Sequence, residues 1–310
     1  MSRKKIKMEL IDRSPLDAIL KRRNIEKVIE VPKQAKISKD LDFEMLLNLL
    51  TLYKQADEFE KRYQFEKASQ CYLKLAQTLL EDDDRKGAGP FFTKGALCLY
   101  YIGKYNESIK YYHRALGIAE QLGNLHGKGE ILLNIGLISY AQGDLDGAFD
   151  HYKRSLDIAE QLGDLRLQSQ DFSLIGIILR DRGDLDGALN HYKQALDIAE
   201  QLDDLGIKSG ILPNIGVILY ERGDIGGAFD HFKHALGIFE KLDDRKGKDQ
   251  ILSNTGMILC DRGDLNEALD HHKRILDIAE QLGDLTLQSQ ISFEITSIVI
   301  HVLLAAFYSL

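Results

Sequence analysis

The chain has 310 residues, 44% of them hydrophobic and 28% charged, with four prolines and no tryptophan, the composition of a soluble, folded protein. Residues 1–40 hold twelve Lys and Arg against six Asp and Glu and the remainder 28 against 42, so the net charge of −8 divides into +6 and −14. The acidic body repels polyanions, which argues against a nucleic-acid partner. Cys71, Cys98 and Cys260, odd in number and far apart, argue against a disulfide framework and for a reducing, cytosolic setting.

The first 40 residues form a basic arm. Within it Ser14-Pro15-Leu16-Asp17 is a helix start, and Leu16, Ile19, Leu20 and Val28 predict a short amphipathic helix ending before Pro32. The opening Arg3-Lys4-Lys5 is followed by no apolar stretch of signal-peptide length, because Glu9 and Asp12 interrupt it, so no export is expected. Arg3-Lys4-Lys5 and Lys21-Arg22-Arg23 read as a flexible or self-docking arm rather than as a nucleic-acid contact.

Over residues 41–290 the chain repeats itself every forty residues: Gly103, Gly143, Gly183, Gly223 and Gly263 stand in register, and Leu156–Leu165 returns letter for letter at Leu276–Leu285. A strict period of this length builds a stack. Apolar residues at helical spacing, Leu132, Ile135, Leu137 and Ile138 and then Leu145, Ala148, Phe149, Tyr152, Leu156 and Ala159, predict two amphipathic helices per repeat, at 125–141 and 145–162. The pairs Gly143-Asp144, Gly163-Asp164 and Gly283-Asp284 mark the turns, glycine closing one helix and aspartate capping the next, with Asp204 and Asp244 in equivalent places. Turns so short make successive helices antiparallel neighbours. Small residues at Ala96, Gly136, Gly176, Gly216 and Gly256, and at Ser108, Ala148, Ala188, Ala228 and Ala268, mark two positions where helices approach closely. About six repeats fit, followed over 291–310 by an apolar half-repeat whose last residues carry no polar cap. That tail is too short for a membrane span and is expected to dock internally or to mediate self-association.

The pattern of a small residue, an alanine twelve later, an aromatic four beyond it and another small residue three beyond that resembles the tetratricopeptide repeat: Gly136, Ala148, Tyr152, Ser155; Gly176, Ala188, Tyr192, Ala195; Gly216, Ala228, Phe232, Ala235. The forty-residue length is most similar to the longer repeats of kinesin light chain and the Pins adaptors. The resemblance implies an all-α, right-handed superhelical solenoid of antiparallel helix pairs that binds protein or peptide along a groove lined by the first helix of each pair. One departure is that the family's first-helix tyrosine is replaced by Ser139, Leu179, Leu219 or Leu259, an aromatic lying one position later at Tyr100, Tyr140 and Tyr220.

The chemistry-bearing residues offer no catalytic set, metal site or cofactor. His151, His191, His231 and His271 come one per repeat, which places them on separate helices about 8–10 Å apart, too far to share a metal. The loop from Gly123 to Gly129 lacks the spacing and the Ser/Thr of a phosphate loop, and Asp82-Asp83-Asp84, Asp203-Asp204 and Asp243-Asp244 lack calcium-loop spacing. The groove which the resemblance implies is lined by Asn134, Asn214 and Asn254, with Tyr100, Tyr140, Arg180 and Tyr220 as anchors and Leu137, Val217 and Met257 as apolar floor. An asparagine amide donates and accepts at once, so it reads a peptide main chain without demanding a side chain. Two other readings stand beside this: the asparagines bond a neighbouring helix, and the tyrosines replace the displaced core tyrosine. The expected function is a non-enzymatic scaffold or adaptor, the alternative a sensor whose solenoid changes shape on binding a peptide or small ligand.

Overall fold

The computed structural model describes residues 43–262 without interruption and scattered positions between 269 and 300. The basic arm expected over 1–40 and most of the apolar half-repeat expected over 291–310 lie outside the described residues. Among the described residues eleven helices follow one another: α1 Phe43–Lys61, α2 Phe65–Glu81, α3 Arg85–Tyr101, α4 Tyr105–Gln121, α5 Leu125–Ala141, α6 Leu145–Leu162, α7 Leu165–Asp181, α8 Leu185–Gln201, α9 Leu205–Glu221, α10 Ile225–Lys241 and α11 Arg245–Arg262. The bounds of α5 and α6 are those predicted from the sequence.

One residue with positive φ falls in each turn, twenty residues after the last. Glycine holds the place at 103, 123, 143, 163, 183 and 223, whereas Tyr63, Asp83, Asp203 and Asp243 hold it elsewhere. The turn after α4 shows how it works. The Gly123 N–H donates to the Glu120 carbonyl at 3.1 Å and the Asn124 N–H to the Ala119 carbonyl at 2.9 Å, closing the helix. The Asn124 side chain then accepts from the Gly127 N–H at 3.1 Å and opens the next helix. Asp84, Asp144, Asp164, Asp184, Asp204, Asp224 and Asp244 cap in the same way.

The chain divides into two compact units, Met1–Ile158 and Ala159–Leu310, the boundary falling inside α6. In unit 1 each helix from α1 to α5 packs on its neighbours in sequence, and in unit 2 those from α7 to α11 do the same. The pairs two apart that touch best, α3 with α5 in unit 1 and α7 with α9 and α9 with α11 in unit 2, are all first helices of their repeats. The first helices therefore share one face in each unit.

The small first-helix residue makes room for a ring. A Cβ on Gly136 would lie 2.5 Å from the Tyr152 ring in unit 1, and in unit 2 one on Gly176 would lie 3.0 Å from Tyr192 and one on Gly216 2.8 Å from Phe232. The sequence suggested two backbones approaching each other there; the space belongs instead to the aromatic side chain of the second helix. In the last described repeat His272 takes the place of the ring, against Gly256. Buried serines tie the pairs together: Ser108 Oγ donates to the Ala96 carbonyl at 2.6 Å, Ser155 Oγ to Gly129 at 3.0 Å and Ser169 Oγ to Ala195 at 2.9 Å.

The ring hydroxyls differ in their partners. Tyr72 Oη donates to Glu60 Oε2 at 2.5 Å, and Glu60 is only 8% exposed. The buried Tyr112 hydroxyl has no hydrogen-bond partner among the described residues. Removing the first hydroxyl leaves a buried carboxylate unsatisfied, whereas removing the second relieves an unmet polar group. Tyr72→Phe is expected to cost about 1–3 kcal/mol in urea unfolding, and Tyr112→Phe to be neutral or stabilising within about 0.5 kcal/mol. Asp203 sits at φ 47°. Asp203→Gly is expected to stabilise by about 0.5–1 kcal/mol, the relief of left-handed strain exceeding the added chain entropy.

Candidate functional site

The predicted groove residues lie on the first helices, Tyr100 on α3, Asn134, Leu137 and Tyr140 on α5, Arg180 on α7, Asn214, Val217 and Tyr220 on α9, and Asn254 on α11. Tyr100, Asn134, Leu137 and Tyr140 belong to unit 1 and the others to unit 2. The Met257 side chain lies outside the described ones. Asn134, Asn214, Asn254, Leu137 and Val217 are all half-buried. Asn134, Leu137 and Tyr140, spaced three apart, share one side of α5, as Asn214, Val217 and Tyr220 share one side of α9.

Each of two asparagines is oriented by its own helix. Asn134 Nδ2 donates to the Glu130 carbonyl at 2.7 Å, and Asn214 Nδ2 donates to the Gly210 carbonyl at 2.9 Å. These bonds hold the amide plane and spend one N–H. An amide also has a second N–H and a carbonyl oxygen, the pair a peptide unit needs.

The anchors are mixed in character. Tyr100 is half-buried, its ring 5.7 Å from Tyr101 and 5.8 Å from Tyr105. Tyr220 is 37% exposed. Arg180 Nη2 pairs with Asp181 Oδ1 at 3.2 Å, which neutralises it in place. Glu60 and Lys94 stand forty residues before Tyr100 and Asn134, and each is 8% exposed. Lys94 Nζ lies 5.3 Å from the centre of the Tyr72 ring, and burial, with Glu60 adding to it, raises the Cys98 pKa. Register alone carried a signal for Lys94; the burial of Glu60 had none.

The other motifs resolve into structural roles. His191 and His231 donate from Nδ1 to the Gly187 and Gly227 carbonyls at 2.8 and 2.9 Å, and burial lowers the His151 pKa. Within the loop that superficially resembles a phosphate site, Lys128 pairs with Glu120 at 2.8 Å, and that hydrogen bond and charge lower the Glu120 pKa. Burial raises the Asp204 carboxyl, but bonds from the Ile207 N–H and from Arg166, 2.7 Å away, outweigh it and lower its pKa. Two open crevices, of 280 and 230 Å³, lie at helix turns around Tyr105 and Leu125, away from the asparagine registers. No helix among the described residues is long and apolar enough to cross a membrane.

The sequence matches the tetratricopeptide repeat family over residues 95–161, 129–201, 170–241 and 209–281, and the chain belongs to that family. No curated protein matches it. Among solved structures it is similar to BtubC (BKLC) from P. vanneervenii, at 17% identity and a TM-score of 0.61, covering 78% of this chain and 94% of that one. It is also similar to aspartyl phosphate phosphatase F from Bacillus subtilis, at 19% identity and a TM-score of 0.60, covering 90% and 74%. The Rap conjugation gene regulator of plasmid pLS20 in complex with the Phr* peptide is similar at 17% identity and a TM-score of 0.59, covering 93% and 86%. At these identities the likeness is one of fold.

Burial raises the pKa of Tyr100, Tyr101 and Tyr112, and of Tyr72, whose bond to Glu60 adds to it. An unfolded phenol releases its proton near pH 10 while these remain protonated, so above about pH 10 the folded state binds more protons and stability falls as pH rises. Ultraviolet titration of the thirteen tyrosines is expected to show a late group that ionises only as the helical signal is lost.

Proposed function

We propose that the chain is a non-enzymatic interaction scaffold in which the first-helix face of a unit holds an extended segment of a partner protein or peptide. The observation that carries the reading is an oriented amide in each unit, Asn134 in unit 1 and Asn214 in unit 2, each tied back to its own helix one turn before it. A ligand main chain lying along this face meets groups already ordered, so less rotamer entropy is lost on binding. Tyr100, Leu137 and Tyr140 in unit 1, and Val217 and Tyr220 in unit 2, supply contact area beside the amide of their own unit. The similar pLS20 regulator is named in complex with a peptide, which supports a peptide as ligand. The setting is a reducing compartment, in which Cys71 and Cys98 stay thiols.

Affinity capture from a native extract tests this. Asn134→Ala, Asn214→Ala and Asn254→Ala together are expected to remove the partners held by the wild-type chain while helical content and melting stay unchanged. Retention of the same partners by the folded triple variant contradicts the asparagine reading.

A further inference from the structure

Glycine inside a helix costs stability relative to alanine, so its presence asks for a reason. The helical glycines of unit 2 show one almost everywhere: an added Cβ would meet a ring at Gly176, Gly216 and Gly247, the His272 ring at Gly256, and a capping aspartate at Gly187 and Gly227. At Gly210 and at Gly237 on α10 a Cβ would meet nothing within 4 Å; of the two, Gly210 is the one that is exposed and stands on a first helix. Gly210 lies on α9 one turn before Asn214 and two before Val217, on the same face as both, and its carbonyl accepts the Asn214 bond at 2.9 Å.

The neighbouring first helices carry long side chains at this register, Gln170 on α7 and Gln250 on α11, and both helices touch α9. Gly210 therefore leaves a gap between two glutamines. Its surroundings along α9 are apolar: Pro213 is buried, and Ile207 and Val217 are half-buried. At the asparagine register the adjoining α7 carries half-buried Leu174, and the charge of Arg180 is matched by Asp181. A gap with apolar neighbours along α9, beside a main-chain-reading amide, suits a bulky apolar side chain better than a charged one, which would lose hydration there.

We infer that Gly210 opens a notch in the first-helix face of unit 2 that receives a leucine-sized or aromatic side chain of the bound segment, next to the main chain held by Asn214. The inference rests on the peptide-binding reading above. A long residue at this register is compatible with the asparagine geometry, since Glu130 stands there in unit 1 and its carbonyl accepts from Asn134 at 2.7 Å. Gly210→Gln thus fills the notch without disturbing the amide.

The test pans a phage-displayed random decapeptide library on the full wild-type chain, then measures the enriched synthetic peptides against wild type and Gly210→Gln by fluorescence anisotropy. Enriched peptides are expected to share one bulky apolar position. Gly210→Gln is expected to bind them at least about tenfold more weakly, and trimming that position to alanine to weaken wild type but not the variant. The variant's melting temperature is expected to equal or exceed that of wild type. Unchanged affinity in Gly210→Gln overturns the notch alone, while enrichment of no sequence by wild type overturns the groove reading and the notch with it.

Discussion

Everything else in this molecule depends on one backbone event repeated every twenty residues: a residue held at positive φ, followed at once by the cap of the next helix. Because the closing and opening bonds overlap in the same few residues, a helix cannot lengthen at its C-terminal end without costing the next helix its cap. Ten of these turns, from Tyr63 to Asp243, hold the helices between them to seventeen or eighteen residues. Equal helices joined by equal turns must run back and forth, and within each unit that alternation returns the first helices to the same face. The ring contact follows from it, since a register that places Gly136 beneath Tyr152 recurs forty residues on for Gly176 and Tyr192. Helix propensity contributes little here. The first helix α9 contains Gly206, Gly210, Pro213 and Gly216, and it is held by packing and caps rather than by its own composition.

The proposed groove has to work with modest energies. A hydrogen bond exchanged with water contributes about 0.5–1.5 kcal/mol net, and a few asparagine contacts, discounted for ordering an extended segment, do not reach the roughly 8 kcal/mol of micromolar affinity. In the proposed mode, main-chain reading by amides therefore sets direction and register, and apolar contacts must supply much of the strength. The half-buried Leu137 and Val217 and the partly exposed Tyr220 are placed for that division of labour.

Much of the fold could be read in advance because its determinants are local. The Gly-Asp pairs announce both ends of each helix, and the alternation of apolar residues announces the face it buries, so α5 and α6 were bounded to the residue. The glycine at 136 was legible as a close approach but not as a seat for Tyr152, because the sequence does not say what fills the space a missing side chain leaves. Among the site residues the register of Asn134, Asn214 and Asn254 was plain. The direction of their amides was not, since the bond of Asn134 to Glu130 competes with bonds to a neighbouring helix that have the same sequence signature. The burial of Glu60 against Tyr72 was likewise invisible, because at every other described repeat the Glu60 register holds a tyrosine, an arginine or a cysteine, and nothing local distinguishes a buried carboxylate from a solvated one.

The central claim is that asparagine side chains on the first-helix face bond the ligand main chain. The most direct measurement is nuclear magnetic resonance of the Asn134, Asn214 and Asn254 side-chain amides, assigned by single substitution and followed while a bound peptide is titrated in. The account predicts that the N–H resonances of the unit that holds the peptide move with its occupancy, as expected for protons entering new hydrogen bonds. Saturable peptide binding that leaves all three amide signals in place would contradict it.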